Sequence, residues 1–259
     1  MSKGNWLKTF KAIFLVLTLG VSFTACSFSL LKSWEEEVLL HDGSKITATR
    51  HISYKGRHEI GQNVPVGESS ISFKLPNSNE TISWTSEYAE DLERTNFKLL
   101  ALHILNGMPY IVATPNGCTS YNKFGRPNPL YVFFKYEGKK WHSIQLSEFL
   151  VVFKTLNLYI DIESQDVKTL VKHSPVSAEY IKTKNAEIRH PPEYQTIQRE
   201  LRKNDGRIGC MVLVPYGGGG WRSLDWFERQ PPLEACTKYC ESSDMSPKAC
   251  PCADIFKGK

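Results

Sequence analysis

The sequence predicts an α+β fold: an antiparallel β-meander, closed as a sandwich or partial barrel, with two or three short helices in the C-terminal half. Three features predict it. Short runs of alternating apolar and polar residues fill the first part of the body, the period of half-buried strands. Tight-turn dipeptides separate those runs. Past residue 162 the alternation gives way to helix-period spacing and then to a cysteine-rich tail, 216–259.

The elements follow in order. Val38–Leu40 and a long run, Ile46–Tyr54, flank Asp42-Gly43, a hairpin turn pair. Within the long run Ile46, Ala48, Arg50, Ile52 and Tyr54 share one face, and Thr47, Thr49, His51 and Ser53 share the other. Ile71, Phe73 and Leu75 alternate next, then Ile82 and Trp84, with Pro76-Asn77-Ser78-Asn79 as the turn. Asn106-Gly107 divides Phe97–Leu105 from Met108–Thr114, and Glu137-Gly138-Lys139-Lys140 divides Leu130–Tyr136 from Trp141–Leu146. Hairpins in succession without long intervening helices argue for a meander. Their spacing is irregular, and no internal repeat is found.

Leu156, Leu158, Ile160 and Ile162 alternate as a last strand. Glu163–His173 reads as a helix, with Glu163 and Asp166 early and Lys172 and His173 late, and Pro175 stops it. Ser177–Ile188 is a second helix, ended by Pro191-Pro192; Tyr194, Ile197 and Leu201 space a third. Ile208–Val214 reads as a buried strand, and the chain from Gly217 onward as loop-rich.

Composition bounds the class. A content of 41% hydrophobic and 12% aromatic residues suffices for a core and excludes an intrinsically disordered chain. A length of 259 residues makes one domain or at most two. No apolar run reaches the ~20 residues of a spanning helix, so a polytopic membrane protein is excluded.

The N-terminus has the layout of an export signal. Lys3, Lys8 and Lys11 precede a 14-residue apolar stretch, Ala12–Ala25, and no acidic residue interrupts them. The stretch ends in Phe23-Thr24-Ala25-Cys26, which resembles the lipobox of bacterial lipoproteins, usually Leu-Ala/Ser/Thr-Gly/Ala-Cys. Phe23 departs from the preferred Leu. The resemblance covers these residues and the signal before them, not the body. It implies diacylglyceryl transfer to the Cys26 thiol, cleavage before Cys26 and acylation of the freed amine, the latter commonly with palmitate. Ser27, rather than Asp, at the sorting position implies the outer membrane of a diderm bacterium, facing the periplasm. The chain therefore divides into a lipoprotein signal peptide (1–25), a lipidated tether (26–34) and a β-rich domain (35–259). In the tether Phe28, Leu30, Leu31 and Trp34 are apolar enough to lie at the bilayer interface or pack on the domain. Loss of the three signal lysines leaves 29 basic side chains against 27 acidic ones, a net charge of +2 rather than +5.

With Cys26 set aside, Cys118, Cys210, Cys236, Cys240, Cys250 and Cys252 remain, an even number in an exported chain, which reads as disulfides. The nested pairing Cys236–Cys252 and Cys240–Cys250, with Cys118–Cys210 clipping the sheet, is preferred. A direct Cys250–Cys252 ring strains the geometry. The rival reading, zinc or copper held by Cys-x3-Cys and Cys-x-Cys, lacks the usual paired Cys-x2-Cys spacing and any nearby His.

No catalytic signature is found. His58-Glu59 begins like a zinc-protease motif, but Gln62 stands where the second His must coordinate. Gly217–Gly220 has no following Lys-Ser/Thr and reads as a flexible surface loop rather than an anion cradle. His103 and His142 fall in strands and read as core histidines; His41, His51, His58 and His190 read as exposed or loop-borne. Asp161 and Glu163 lie at a strand end, where chains simply meet water. Around the glycine loop Tyr216, Trp221, Trp226 and Phe227 cluster with Arg222 and Arg229, the composition of interface hot spots and glycan-stacking surfaces. Tyr216, Trp221, Arg222 and Trp226 are the candidate binding residues; tail aromatics packing on the sheet is the competing reading. The expected function is a lipid-anchored envelope module that binds a protein or glycan, without cofactor, metal or nucleic acid. The alternative is a surface-tethered periplasmic hydrolase whose site is assembled from distant residues.

Overall fold

The computed structural model describes residues 31–162, 167–188, 192–203 and 209–257. The signal peptide, Cys26, Glu163, Asp166, His190 and Ile208 lie outside the described residues.

Strands β1 (Lys32–Leu39), β2 (Lys45–Tyr54), β3 (Val66–Lys74) and β4 (Thr81–Ser86) form one antiparallel sheet in sequential order. A two-stranded ribbon, β5 (Tyr88–Ala89) and β6 (Arg94–Thr95), leads to the second sheet. That sheet consists of β7 (Phe97–Leu105), β8 (Met108–Pro115), β9 (Val132–Glu137) and β10 (Lys140–Ile144), again neighbour to neighbour. The α+β meander is thus present as two four-stranded sheets. One apolar cluster joins them: Val38, Ile71, Phe73 and Trp84 from the first sheet meet Phe97, Leu99, Leu102 and Ile111 from the second. The closure is a sandwich.

A β-bulge keeps the second sheet in register with this core. Leu99 pairs with Ala113 and Ala101 with Val112, so Leu100 is the extra residue. Without it, Leu102 and Ile104 would turn away from the first sheet; with it, they join Phe97 and Leu99 on one face. The opposite face, Leu100, Ala101, Tyr110 and Val112, is covered by Phe149, Phe153, Ile160 and Ile197. Both faces of β7 and β8 are therefore buried, which is why their sequences read as near-continuous apolar runs.

The expected last strand is not a strand. Residues 156–162 run extended between the layers, but Leu156, Asn157, Leu158, Tyr159 and Ile160 are buried in succession, without alternation. No ladder forms: Leu158 N alone reaches β7, at Leu100 O (3.3 Å), and side chains supply the further links between this segment and the sheets. Asn157 accepts from Leu102 N (2.9 Å) and donates to Leu102 O (2.7 Å) and Leu39 O (2.9 Å). Asn185 donates to Leu158 O (2.8 Å) and accepts from Ile160 N (3.3 Å), and Glu36 accepts from Tyr159 N (3.1 Å).

Glu36 and Arg50 occupy positions on the buried faces of β1 and β2, and both side chains are fully buried. Arg50 Nη1 donates to both Glu36 oxygens (3.3 Å each) and to Tyr159 O (3.5 Å). Trp34 Nε1 donates to Glu36 Oε1 at 2.7 Å, and its ring lies 5.5 Å from the Arg50 guanidinium. Trp34, placed by sequence in the tether, is a core residue 2% exposed, because β1 begins at Lys32.

The free edge of β1 is covered. Glu37 N donates to Val176 O and Val176 N to Glu35 O, each at 2.8 Å. This caps an edge that would otherwise template strand addition. The flanking helices are α2 (Val167–Lys172) and α3 (Ala178–Glu187), the latter N-capped by Ser177. They bury Val167, Leu170 and Ile181 against Trp34 and Ile52.

Three further expectations are corrected. Tyr194–Leu201 forms no helix beyond a short 3-10 turn at Pro192–Tyr194. Ile197 N instead donates to Lys154 O, and Tyr131 Oη lies 3.1 Å from the carbonyls of Glu193 and Thr196. Met211 and Val212 are 56% and 38% exposed, so no buried strand runs through them. The strand there is β11 (Leu213–Tyr216), which pairs only with β12 (Gly220–Ser223). The tail, expected to be loop-rich, also carries three helices that the sequence reading did not place, α4 (Leu224–Glu228), α5 (Leu233–Ser242) and α6 (Cys252–Ile255). A helix unforeseen in sequence, α1 (Gly117–Lys123), carries Cys118.

Removing one member of a buried, hydrogen-bonded charge pair leaves its partner uncompensated, which costs about 3–5 kcal/mol. Glu36→Gln should therefore lower the stability read from urea unfolding by about that amount. The double substitution Glu36→Gln/Arg50→Met, which removes both charges but keeps an amide oxygen for Trp34 Nε1 and Tyr159 N, should recover most of it. Equal losses in the single and double variants would assign the effect to packing rather than charge.

Candidate functional site

The described cysteines pair as Cys118–Cys210, Cys236–Cys252 and Cys240–Cys250. The nested tail bridges tie α5 to the start of α6 around Phe227, which is fully buried. The Sγ atoms of Cys240, Cys250 and Cys252 lie within 4.8 Å of one another, and each belongs to one of these bridges.

The β11–β12 register determines which tail side chains meet. Val214 pairs with Arg222 and Tyr216 with Gly220 on one face; Pro215 pairs with Trp221 on the other. On the first face the Arg222 guanidinium sits 5.0 Å from the Tyr216 ring centroid, 4.8 Å from Trp226 and 5.6 Å from Tyr239. Trp226 and Tyr239 are themselves in contact at 4.1 Å. All four residues are half-buried, so their rings and the guanidinium are shared between packing and solvent. Cation–π attraction supplies about 0.5–2 kcal/mol per ring, more where water is excluded.

The glycine run serves this cluster. A Cβ on Gly220 would enter the Tyr216 ring, and one on Gly217 would collide with the Ser243 carbonyl at the end of α5. Gly218 and Gly219 take positive φ, +78° and +79°. The loop is thus packed against α5, in place of the flexible surface loop expected from sequence.

Trp221 is not part of the cluster. Its Nε1 donates to Asp91 Oδ2 (3.0 Å), and Asp91 Oδ1 accepts from Lys123 Nζ (2.8 Å). Asn122 and Arg126 hold the strand leading into β11 through the carbonyls of Met211 and Cys210. Trp221 is therefore a fastener of the tail to the ribbon between the sheets. Sequence proximity grouped Tyr216, Trp221, Arg222 and Trp226; strand alternation separates Trp221 from the rest. Tyr239 was missed. The signal for it was the Cys236/Cys240 spacing, i and i+4, which marks a helix that would bring Tyr239 beside the same bridges.

The histidines are dispersed. His142 is exposed, not core, with its Nε2 3.2 Å from Glu137 O. His58 lies on an exposed loop and Asp161 is exposed. His103 is fully buried, stacked on Phe153 at 4.6 Å, while His41 meets the edge of the same ring at 5.2 Å. His103 Nε2 donates to Thr155 O (2.9 Å) when Nδ1 is unprotonated, and Nδ1 has no partner among the described residues. Burial pushes its pKa down from 6.5 to about 4. A cleft of about 270 Å³ between α3 and residues 155–157 is lined by Leu39, Leu156 and Ile181, with Lys182 at its rim. Its two Asn side chains, Asn157 and Asn185, are already engaged with backbone as described above.

No family model, curated protein sequence or solved structure matches the chain.

The His103 geometry makes stability depend on pH. The folded state keeps the ring neutral, whereas the unfolded chain takes up a proton below its ordinary value of 6.5. Stability is full above that pH and falls as pH drops toward 4, by about 3 kcal/mol from this residue. Urea midpoints at pH 7 and pH 4.5 should show the loss, and His103→Gln, which keeps an N–H for Thr155 O, should flatten it. An unchanged slope in the variant would remove His103 as the cause.

Proposed function

We propose that this chain is a lipid-anchored protein of a bacterial cell envelope, held at the periplasmic face of the outer membrane, where it binds a protein partner through the Tyr216–Arg222–Trp226–Tyr239 cluster. The observation that carries the anchor is a count. The chain has seven cysteines, and six are bonded to one another. Cys26, outside the described residues, is the seventh, at the end of an apolar segment and within a lipobox-like tetrad. The bridges themselves are consistent with an extracytoplasmic protein. Among the described residues no helix is long and apolar enough to cross a membrane. Two or three acyl chains at ~0.8 kcal/mol per methylene hold a domain at a bilayer firmly, whereas one holds it marginally. Five residues separate Cys26 from Lys32, where β1 starts, a reach of at most ~20 Å. The domain would sit against the membrane surface rather than on a stalk.

The cluster favours a protein over a glycan. Tyr, Trp and Arg dominate protein–protein hot spots. Here the rings surround a guanidinium rather than standing free for a sugar to stack upon.

Two measurements test the two halves. Cells expressing the chain should incorporate labelled palmitate, and Cys26→Ser should abolish the label and move the protein from the detergent phase to the aqueous phase. Label retained by the variant would overturn the anchor. In pull-downs from solubilised envelopes, Trp226→Ala and Tyr239→Ala should each lower partner affinity by about thirtyfold, the cost of a hot-spot side chain. Equal recovery by wild type and both variants, with folding unchanged by circular dichroism, would remove the cluster from the interface. Retention on immobilised glycan but on no protein would reverse the partner class.

A further inference from the structure

The two tail bridges are stacked against each other. Cys240 Sγ lies 3.5 Å from Cys252 Sγ, a sulfur of the other bridge. Cys236, Cys240 and Cys252 are 0%, 2% and 1% exposed, while Cys250 is half-buried and so is the member that an external thiol reaches. The two α5 cysteines sit about one turn apart, at the fourth and eighth residues of a 10-residue helix. Cys236 is in the first turn, its N–H donating to Pro232 O at 3.2 Å, and Cys240 lies two residues before the helix ends at Ser242. The helix dipole stabilises a thiolate at the first position and not at the second. A thiolate at Cys240 is therefore the better nucleophile, and Cys236 the better leaving group.

We propose that the tail is a thiol–disulfide relay, a reactive site for a dithiol reductant that enters at Cys250 and is answered at Cys236. A thiolate of the dithiol attacks Cys250 Sγ, forming a mixed disulfide and releasing Cys240 as thiolate. Cys240 attacks Cys252 Sγ across the 3.5 Å contact, forming a Cys240–Cys252 bridge and releasing Cys236 as thiolate. The second thiol of the dithiol then attacks its own sulfur in the mixed disulfide, freeing Cys250 and leaving as a cyclic disulfide. Two protons pass from the dithiol to Cys236 and Cys250. One dithiol is oxidised, one protein bridge is reduced, and the remaining tail bridge has changed partners. The relay is independent of the lipid anchor and of the binding cluster.

Limited reduction of the wild-type protein tests it. The oxidised chain is treated with about one equivalent of dithiothreitol, quenched in acid, alkylated, and digested with trypsin, which cuts after Lys238 and Lys248. Cys236 and Cys240 then fall on separate peptides, and Cys250 and Cys252 share a third. In chains carrying two labels the expected positions are Cys236 and Cys250, with the third peptide still bridged to Cys240 through Cys252. Label at Cys236 should exceed label at Cys240 by about tenfold or more. Labels at Cys240 and Cys250 with Cys236–Cys252 intact would show reduction without transfer and overturn the relay. Labels at Cys236 and Cys252, or at Cys118 and Cys210 alone, would overturn entry at Cys250. As a second arm, Cys236→Ser/Cys252→Ser lacks the accepting bridge and should be labelled at Cys240 and Cys250. If its label pattern matched wild type, transfer would be excluded.

Discussion

The carboxylate of Glu36 receives Trp34 Nε1, Arg50 Nη1 and the backbone N–H of Tyr159, and so gathers two strands and the buried segment 156–162 at one point. The layering of the molecule depends on this point. Residues 156–162 contribute to three apolar clusters: Leu158 to the one between the sheets, Leu156 and Ile160 to the one behind β7 and β8, Tyr159 and Ile162 to the one beneath α2 and α3. A segment that feeds three cores cannot also lie flat in a ladder. Its peptide groups need side-chain partners, because a buried unpaired N–H or C=O costs about as much as a lost hydrogen bond. Glu36, Asn185 and Arg50 are those partners, while Asn157 ties the segment to the Leu102 and Leu39 backbone. Burying a carboxylate is expensive, and Arg50 makes it tolerable.

The tail solves a different problem. Residues 209–257 pack a small cluster around Phe227, Cys236, Cys240 and Cys252, with few large apolar side chains. Cross-links replace the missing core: closing loops of 10 and 16 residues removes roughly 3 kcal/mol of unfolded-chain entropy each, in a model-dependent estimate. Cys118–Cys210, spanning 92 residues, and the Trp221–Asp91–Lys123 link fix this small unit to the sandwich. The aromatic rings around Arg222 then sit on a platform stiffened by covalent bonds, and less ordering entropy is spent when a partner arrives.

Sequence reasoning worked where one physical rule acted alone. Period-2 alternation and Asn-Gly or Asp-Gly turns located the eight long strands, and an even cysteine count with ring-strain arguments led to the three bridges. It failed where tertiary contacts overrode local pattern. Leu156–Ile162 alternates perfectly on paper, yet Leu156–Ile160 are buried on both faces and side chains take several of its backbone hydrogen bonds. Tyr194, Ile197 and Leu201 have helical spacing, yet Tyr131 and Lys154 claim that backbone. Arg50 sat visibly on an apolar face; its partner Glu36 was hidden because the run Glu35-Glu36-Glu37 looks like a solvated charge cluster. Only strand alternation, with β1 starting at Lys32, turns the middle carboxylate inward. The binding cluster was three-quarters legible, since the same alternation that unites Tyr216 with Arg222 expels Trp221.

Arg50 and Arg222 show one residue type in opposite roles. Arg50 has no solvent exposure, and its Nε and Nη2 find no partner among the described residues, so its charge must be met by Glu36 to be held at all. Arg222 faces no carboxylate among the described residues; three ring faces attract it, and water still reaches it. A guanidinium held only by aromatic faces keeps its hydrogen-bonding edge free, because cation–π contacts use the plane and leave the in-plane N–H groups to other acceptors. Arg50 is therefore committed to the fold, whereas only the Nε of Arg222 is buried and its Nη groups are left for an acceptor. That difference, rather than exposure of apolar surface, is why the proposed interaction face is on the tail and not on the sheets.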